Sequence, residues 1–336
     1  MRIVTALCIA IAAAPALAQY QESITVARVV IDVRVTDLGG KPVEDLTAAD
    51  FTATIGGKPA AIETVEWVDG PAREGRVPMD GSRDDAATVS EGALYVVFVQ
   101  TDFARNQSRV SGQMKFGSYA DEFIDSLQPE DRVAVFSFDS HLKFRRDFTS
   151  DKDVVRQAIR DSLRIDRPPA PPVVYNPALA RHLDPEAMRR AATSEAGLLL
   201  VADALRKIDG RKTLVLIGWG LGERVGGAVI MHRRWPQVQS ALAAARTMLF
   251  AFDVTEASYH DLELGMAAGA ESTGGFMVKT NEFPGQAIAR VQLALEGWYE
   301  VELRVPASIV PGSHPLDVRV ARRNVKVGAP AAVRVN

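Results

Sequence analysis

Apolar and polar residues alternate with a period of two at both ends of the chain, and in longer blocks between them. Near the amino end, "ITVARVVIDVRVTD" sets Val30, Ile31 and Val33 among polar neighbours, as on a half-buried strand. "LGGKP" follows as a turn, and "FTATIGGKPAAIETVEWV" repeats strand, Gly-Gly turn and strand. Glycine supplies positive φ in such turns, so the repeated "GGKP" reads as turn chemistry. Residues 69–92 are polar and rich in Gly, Asp, Arg and Ser, the composition of a linker. The tail, residues 298–336, returns to the two-residue period in "WYEVELRV", "HPLDVRV", "VKVG" and "AAVRV".

Between these ends the pattern changes. "ALYVVFV" reads as a buried strand, and residues 109–127 as a helix with Met114, Ala120, Phe123, Ile124 and Leu127 inward. "RVAVFSF" is the next strand, with "HLKFRRDF" as its hairpin edge. "TSDKDVVRQAIRDSL" is a helix with Thr149 or Ser150 as N-cap. Helix "SEAGLLLVADALRKI", strand "TLVLIGW", helix "PQVQSALAAARTM", strand "LFAFDV", helix "HDLELGMAAGA", strand "GGFMVKT" and helix "FPGQAIARVQLALEGW" complete the series. This alternation predicts an α/β domain over 93–297, with a doubly wound, mostly parallel sheet. Residues 166–186 hold six prolines and interrupt the order, as a surface insertion or a partner-binding loop. Neither chain end makes a generous core alone. The expectation is one small β-sandwich built from 19–68 and 298–336, with the α/β domain inserted between them.

Composition narrows the setting. Arg2, an apolar stretch and Ala16-Leu17-Ala18 read as a cleaved signal peptide over residues 1–18. The run is shorter than the roughly 20 residues a spanning helix needs, and Pro15 breaks it. The expectation is a periplasmic or secreted protein with no stable membrane insertion. Cys8 is the sole cysteine, so beyond the signal there is no disulfide framework or thiolate chemistry. Without residues 1–18, 38 basic residues face 42 acidic ones, a balance of −4 that does not favour nucleic acid. "GWGLGERVGG" departs from the dinucleotide fingerprint, and no G-x-S-x-G elbow occurs. His141, His182, His232, His260 and His314 are scattered without close metal spacing and read as loop or surface residues.

The ordered series resembles the von Willebrand factor type A (VWA) domain, and more narrowly the bacterial VWFA-related exported proteins. The likeness rests on "VRVTDLGGKPVEDLTAADFTATIGGKPAAIETV", "FIDSLQPEDRVAVFSFDSHLKFRRDFTSDKDVVRQAI", "GRKTLVLIGWGLGE", "STGGFMVKTNEF" and "GWYEVELRV", and covers nearly the whole mature chain. It implies a divalent cation at the carboxyl ends of the strands. The family's ligands are Asp-x-Ser-x-Ser after the first strand, a Thr before the third helix and an Asp after the fourth strand. A hard ion such as Mg²⁺ takes these oxygens and keeps an open position that a partner's carboxylate can fill.

This sequence departs from that set. If strand length sets the register, Gln100, Asp102 and Ala104 take the motif places; if Asp102 comes first, Ala104 and Asn106 follow. Thr193 or Ser194 meets the Thr place, and Trp219 stands where the last Asp belongs. The candidate metal ligands reduce to Asp102 and Thr193, a degenerate site that holds Mg²⁺ or Mn²⁺ weakly at most. No other cofactor is expected. The candidate partner-binding residues are Asp102, Asn106, Thr193, Ser194 and Trp219. Trp219 either plugs the vacated crevice or stands exposed as an aromatic anchor, and its flanking glycines favour the exposed turn. Asp139, Ser140 and His141, and separately Asp253, end strands where they either lend a carboxylate or form a turn. The expected function is a non-enzymatic, exported interaction or adhesion module that binds a protein partner at the strand-end face. The alternative is a divalent-metal-dependent adhesion protein or enzyme with a rearranged site around Asp102.

Overall fold

The two sequence periods fold into two different sheets. The chain opens with β1 (Arg28–Asp37), β2 (Phe51–Ile55) and β3 (Lys58–Asp69). Next come β4 (Leu94–Gln100), α1 (Gln107–Asp125), β5 (Arg132–Phe138), β6 (Leu142–Thr149), α2 (Lys152–Ser162), α3 (Pro185–Arg190), α4 (Ser194–Leu205) and β7 (Lys212–Gly218). A short hairpin, β8 (Glu223–Val225) and β9 (Ala228–Ile230), precedes α5 (Trp235–Ala244), β10 (Thr247–Asp253), α6 (Glu263–Glu271), β11 (Met277–Lys279) and α7 (Pro284–Ala294). The last strands are β12 (Gly297–Arg304), β13 (Gly312–Val320), β14 (Val325–Gly328) and β15 (Ala332–Val335). This computed structural model describes residues 27–70, 92–101, 107–163, 179–281 and 283–335. The expected signal segment, Asp102, Ala104, Asn106 and most of the linker and Pro-rich segment lie outside the described residues.

The central sheet has the order β11-β10-β7-β4-β5-β6, parallel except for β6, which runs antiparallel to β5. Every residue of β4, β7 and β10 is buried, because helices cover both faces and leave no polar side to the strand. Val96, Phe98, Leu214 and Leu216 face α4, α5 and α6, whereas Tyr95, Val97, Val99 and Val215 face α1, α2 and α7. This is the doubly wound, mostly parallel sheet expected from the sequence. The chain leaves β4 toward β5 on one side, and β7 leads to β10 on the other. The reversal of strand order therefore lies between β4 and β7, where such sheets form a crevice at their carboxyl ends.

Strands from both chain ends interleave in the second sheet, of order β14-β1-β12-β3-β2-β13-β15. β12 lies between β1 and β3, with Val33 opposite Tyr299 and Val65 opposite Val301. The expected joining of the two ends is observed, but as one continuous antiparallel sheet. Two long strands make the corners. β1 gives Arg28–Val33 to β12 and Arg34–Asp37 to β14; β13 gives Gly312–Pro315 to β15 and Leu316–Val320 to β2. The sheet folds around Ile31, Val33, Val35, Phe51, Tyr299, Val301 and Leu303.

The outer face of β1 and β12 packs on the amino-terminal edge of the central sheet. Arg246, just before β10, reaches Asp32 and Glu300, each at 2.5 Å. Arg34 donates to the Gly274 carbonyl at 3.2 Å, and the Arg211 guanidinium stacks 3.7 Å from the Trp298 ring centroid. Arg246 holds φ at +49°, a left-handed conformation where helix ends usually place glycine. Because the second sheet covers this edge, the carboxyl ends of β4, β7 and β10 point away from it.

Three local expectations change. Met114 is 75 % exposed, and Phe116 takes the inward place, because 116 keeps the spacing of three to four residues to the buried Ala120, Phe123, Ile124 and Leu127 and 114 does not. Asp151, not Thr149 or Ser150, caps α2, accepting from the Asp153 and Val154 N–H groups. The Pro-rich segment ends in helix: Pro185 starts α3 at a position needing no N–H donor, with Asp184 as its cap.

Candidate functional site at the strand-end crevice

The crevice between β4 and β7 is filled from below by one side chain. Gln100 ends β4 and is 2 % exposed. Its Oε1 accepts from the Trp219 N–H at 2.9 Å and the Gly220 N–H at 3.3 Å. Its Nε2 donates to the Gly220 carbonyl at 2.8 Å and to Ser194 Oγ at 2.9 Å. Two donors and two acceptor positions are thus used, the full capacity of a primary amide. Close approaches account for the glycines of "GWGLG", Gly218 to Gln100, Gly220 to Leu262 and Gly222 to Ile230. A Cβ on Gly218 would lie 2.0 Å from Gln100 Oε1. Gly222 has φ +84°, and a Cβ there would lie 2.7 Å from the Ile230 carbonyl.

The remaining predicted residues are placed around this amide. Thr193 caps α4, its hydroxyl accepting from the Ala196 N–H at 3.2 Å. Ser194 is brought to the crevice by the same helix start. Trp219 is 6 % exposed, so of its two readings the structure gives packing and corrects the exposed anchor. The cause is Gln100, which holds both the Trp219 and Gly220 N–H groups and draws the turn inward. Asp102 and Asn106 lie outside the described residues.

A divalent ion needs anionic oxygen ligands to offset its dehydration. Among the described residues, the crevice instead presents a satisfied neutral amide, a capping hydroxyl, the Ser194 hydroxyl and a single buried carboxylate, that of Glu195, whose Oε1 already accepts from the Gly222 N–H at 2.7 Å. These groups do not fit the metal that the family resemblance implies.

Asp139 forms the turn into β6. Burial acts to raise its pKa, but hydrogen bonds from Lys143 and Ser140 outweigh it and hold it at about 2. Asp253, by contrast, is drawn into a cluster with His260 and Glu263 that reading the histidines one by one missed. The signal was present as "DVTEASYHDLE", in which a strand-end Asp precedes a His and a Glu.

Exposed apolar side chains stand beside the charged Glu223 and Arg224 at the carboxyl ends of the strands. The β8–β9 hairpin exposes Val225 (52 %) and Ile230 (53 %), and a 3.0 Å ion pair between Arg224 and Asp261 fixes it to the segment before α6. Tyr259, Leu264 and Phe283, which follow the carboxyl ends of β10 and β11, are also exposed. The sequence hid the hairpin because its strands, of three residues each, are too short for alternation to show.

No family model and no curated sequence matches the chain. Among solved structures, the conserved hypothetical protein BatB from Bacteroides thetaiotaomicron is 11 % identical, with 60 % of this chain and 97 % of that one covered and a TM-score of 0.40. An aerotolerance-related membrane protein from Bacteroides fragilis is 11 % identical, covering 60 % and 98 %, with a TM-score of 0.41. Proximal thread matrix protein 1 from the mussel byssus, solved with a zinc-occupied MIDAS motif, is 14 % identical, covering 64 % and 48 %, with a TM-score of 0.39.

Proposed function

We propose that the chain is an exported, non-enzymatic interaction module of the VWA type, and that it docks a protein partner on its strand-end face without a metal bridge in the β4/β7 crevice. The observation that carries this reading is the distribution of exposed apolar side chains. Of the ten large hydrophobic residues exposed among the described residues, Val225, Ile230, Tyr259, Leu264 and Phe283 follow the carboxyl ends of β7, β10 and β11. Apolar residues gathered on one rim mark an interaction surface more than the same residues scattered singly. The opposite edge is covered by the second sheet, which leaves this rim accessible. Export rests on residues 1–18, and among the described residues no helix is long and apolar enough to cross a membrane. The neutral amide of Gln100 favours contact by shape and apolar surface over metal coordination.

Quantitative pull-down from a periplasmic extract tests this. A partner captured by the wild type should be lost with Val225→Ser/Ile230→Ser. It should be kept with Leu38→Ser/Val310→Ser, which removes exposed apolar residues at 63 % and 67 % exposure elsewhere. Equal capture by all three proteins refutes the docking face.

A further inference from the structure

The end of β10 carries chemistry that the crevice does not use. Asp253 is the last residue of that strand, and its side chain is fully buried. Its Oδ1 accepts from the Thr255 N–H at 3.0 Å, and its Oδ2 lies 2.9 Å from His260 Nε2. Glu263 opens α6 with its side chain 11 % exposed. Its Oε2 accepts from the His260 N–H at 3.1 Å and lies 4.0 Å from His260 Nε2. One ligand atom from each of Asp253, His260 and Glu263 falls within 4.8 Å of the others.

Hydrogen bonding does not complete this cluster. Among the described residues, His260 Nδ1 and Thr255 Oγ1 are buried without a partner, and Thr255 as a residue is only 4 % exposed. Buried polar atoms without partners show that hydrogen bonding here is incomplete, while the ring nitrogen that faces both carboxylates is Nε2. The charges are also unevenly matched. Lys279 Nζ lies 2.5 Å from Glu263 Oε2 and also donates to the Ser258 carbonyl, so it serves Glu263. The fully buried Asp253 carboxylate faces an imidazole and one N–H. With that imidazole neutral, the two carboxylates and one ammonium leave a net charge of −1.

We propose that Asp253, His260 and Glu263 form a binding site for a divalent transition cation of the zinc class. One imidazole and two carboxylates make a borderline ligand set that suits Zn²⁺ better than Mg²⁺, which prefers oxygen alone. Three protein ligands are also the number that leaves a fourth, open position on zinc. Ligands about 2.1 Å from a tetrahedral ion stand roughly 3.4 Å apart, so small side-chain rotations bring the three atoms to that spacing. The ion takes over the Asp253–His260 contact and releases Lys279 from Glu263, leaving that ammonium the Ser258 carbonyl and solvent. Lys279 is therefore an internal competitor that neutralises part of the site and limits its affinity. None of its three ligands belongs to the β4/β7 crevice of Gln100, Ser194 and Trp219.

Calorimetric titration of the tag-free full chain with Zn²⁺, with Mg²⁺ as comparator, tests the assignment. One equivalent of Zn²⁺ should bind. Affinity should fall at least tenfold in His260→Gln and in Asp253→Asn, and rise in Lys279→Gln. It should be unchanged in Asp102→Ala. Co²⁺ should give visible ligand-field bands that His260→Gln abolishes. Absence of saturable one-to-one Zn²⁺ binding by the wild type overturns the proposal, as does binding that survives His260→Gln or is lost in Asp102→Ala. If Asp253→Asn does not fold, Lys279→Gln decides, since its side chain is 30 % exposed; unchanged affinity there also overturns the site.

Discussion

Replacing Gln100 by Glu tests whether the crevice is closed by a neutral group. The two side chains have nearly the same shape, so the change is one of charge and hydrogen-bond direction. The new carboxylate keeps an acceptor for the Trp219 and Gly220 N–H groups. It loses the donor to Ser194 Oγ at 2.9 Å and to the Gly220 carbonyl at 2.8 Å. Ser194 can rotate its hydroxyl and donate instead, but the carbonyl cannot. One buried acceptor is left unsatisfied, at about 1–3 kcal/mol, and faces a second oxygen. Burying the charge adds several kcal/mol, of which the nearby start of α4 returns about 1 kcal/mol. A net loss of about 3–5 kcal/mol at pH 7 follows. Burial raises the folded-state pKa of the introduced carboxyl above its unfolded value. Its neutral form therefore fits the fold better, and the penalty should shrink as pH falls toward the unfolded carboxyl value of about 4.3. Urea denaturation of wild type and Gln100→Glu at pH 7 and pH 4.5 measures both effects. A penalty below about 1 kcal/mol at pH 7, or one independent of pH, would show a hydrated crevice and refute the neutral plug.

Two further outcomes concern the seam between the sheets. Arg246→Ala leaves the buried Asp32 carboxylate without its partner and should cost about 3–5 kcal/mol. Arg246→Gly should cost about 1 kcal/mol less, because glycine accepts φ +49° without steric penalty; equal losses in denaturant unfolding would contradict the strain argument. Burial, with Arg246 nearby, lowers the pKa of Lys212 to about 8 from 10.5. Between those values the unfolded chain binds more protons, so wild-type stability should rise from pH 8 to pH 10 relative to Lys212→Met. A constant difference across that range would count against the shift.

The sequence made most elements of the central sheet readable, because continuous apolar runs such as "LYVVFVQ" arise only where both faces are covered. The joining of the two chain ends was also legible, since neither end alone carries enough apolar residues for a core. What escaped were features fixed by distant contacts. One sheet in place of two depends on where β1 and β13 change partners, which alternation cannot mark. Trp219 looked exposed because it is flanked by glycines. Gly218 instead makes room for Gln100, which lies more than a hundred residues earlier, and Gly220 makes room for Leu262. Asp253, His260 and Glu263 escaped because a loop folds back over a strand end, a return that linear metal spacing does not encode.

The interleaving of the chain ends also has a consequence for biosynthesis. β3 ends at Asp69, and the strand that pairs with it, β12, begins at Gly297. At roughly 5–20 residues per second, β3 waits about 10–50 s for that partner. The central α/β unit can collapse during this interval, whereas β1 and β3 must persist with open edges. Their outward positions carry Asp32, Arg34, Glu63 and Glu66, charges of the kind that discourage an open strand from pairing with another chain. The same Asp32 later meets Arg246, so one carboxylate guards the unfinished strand and then fastens the finished sheet to its neighbour.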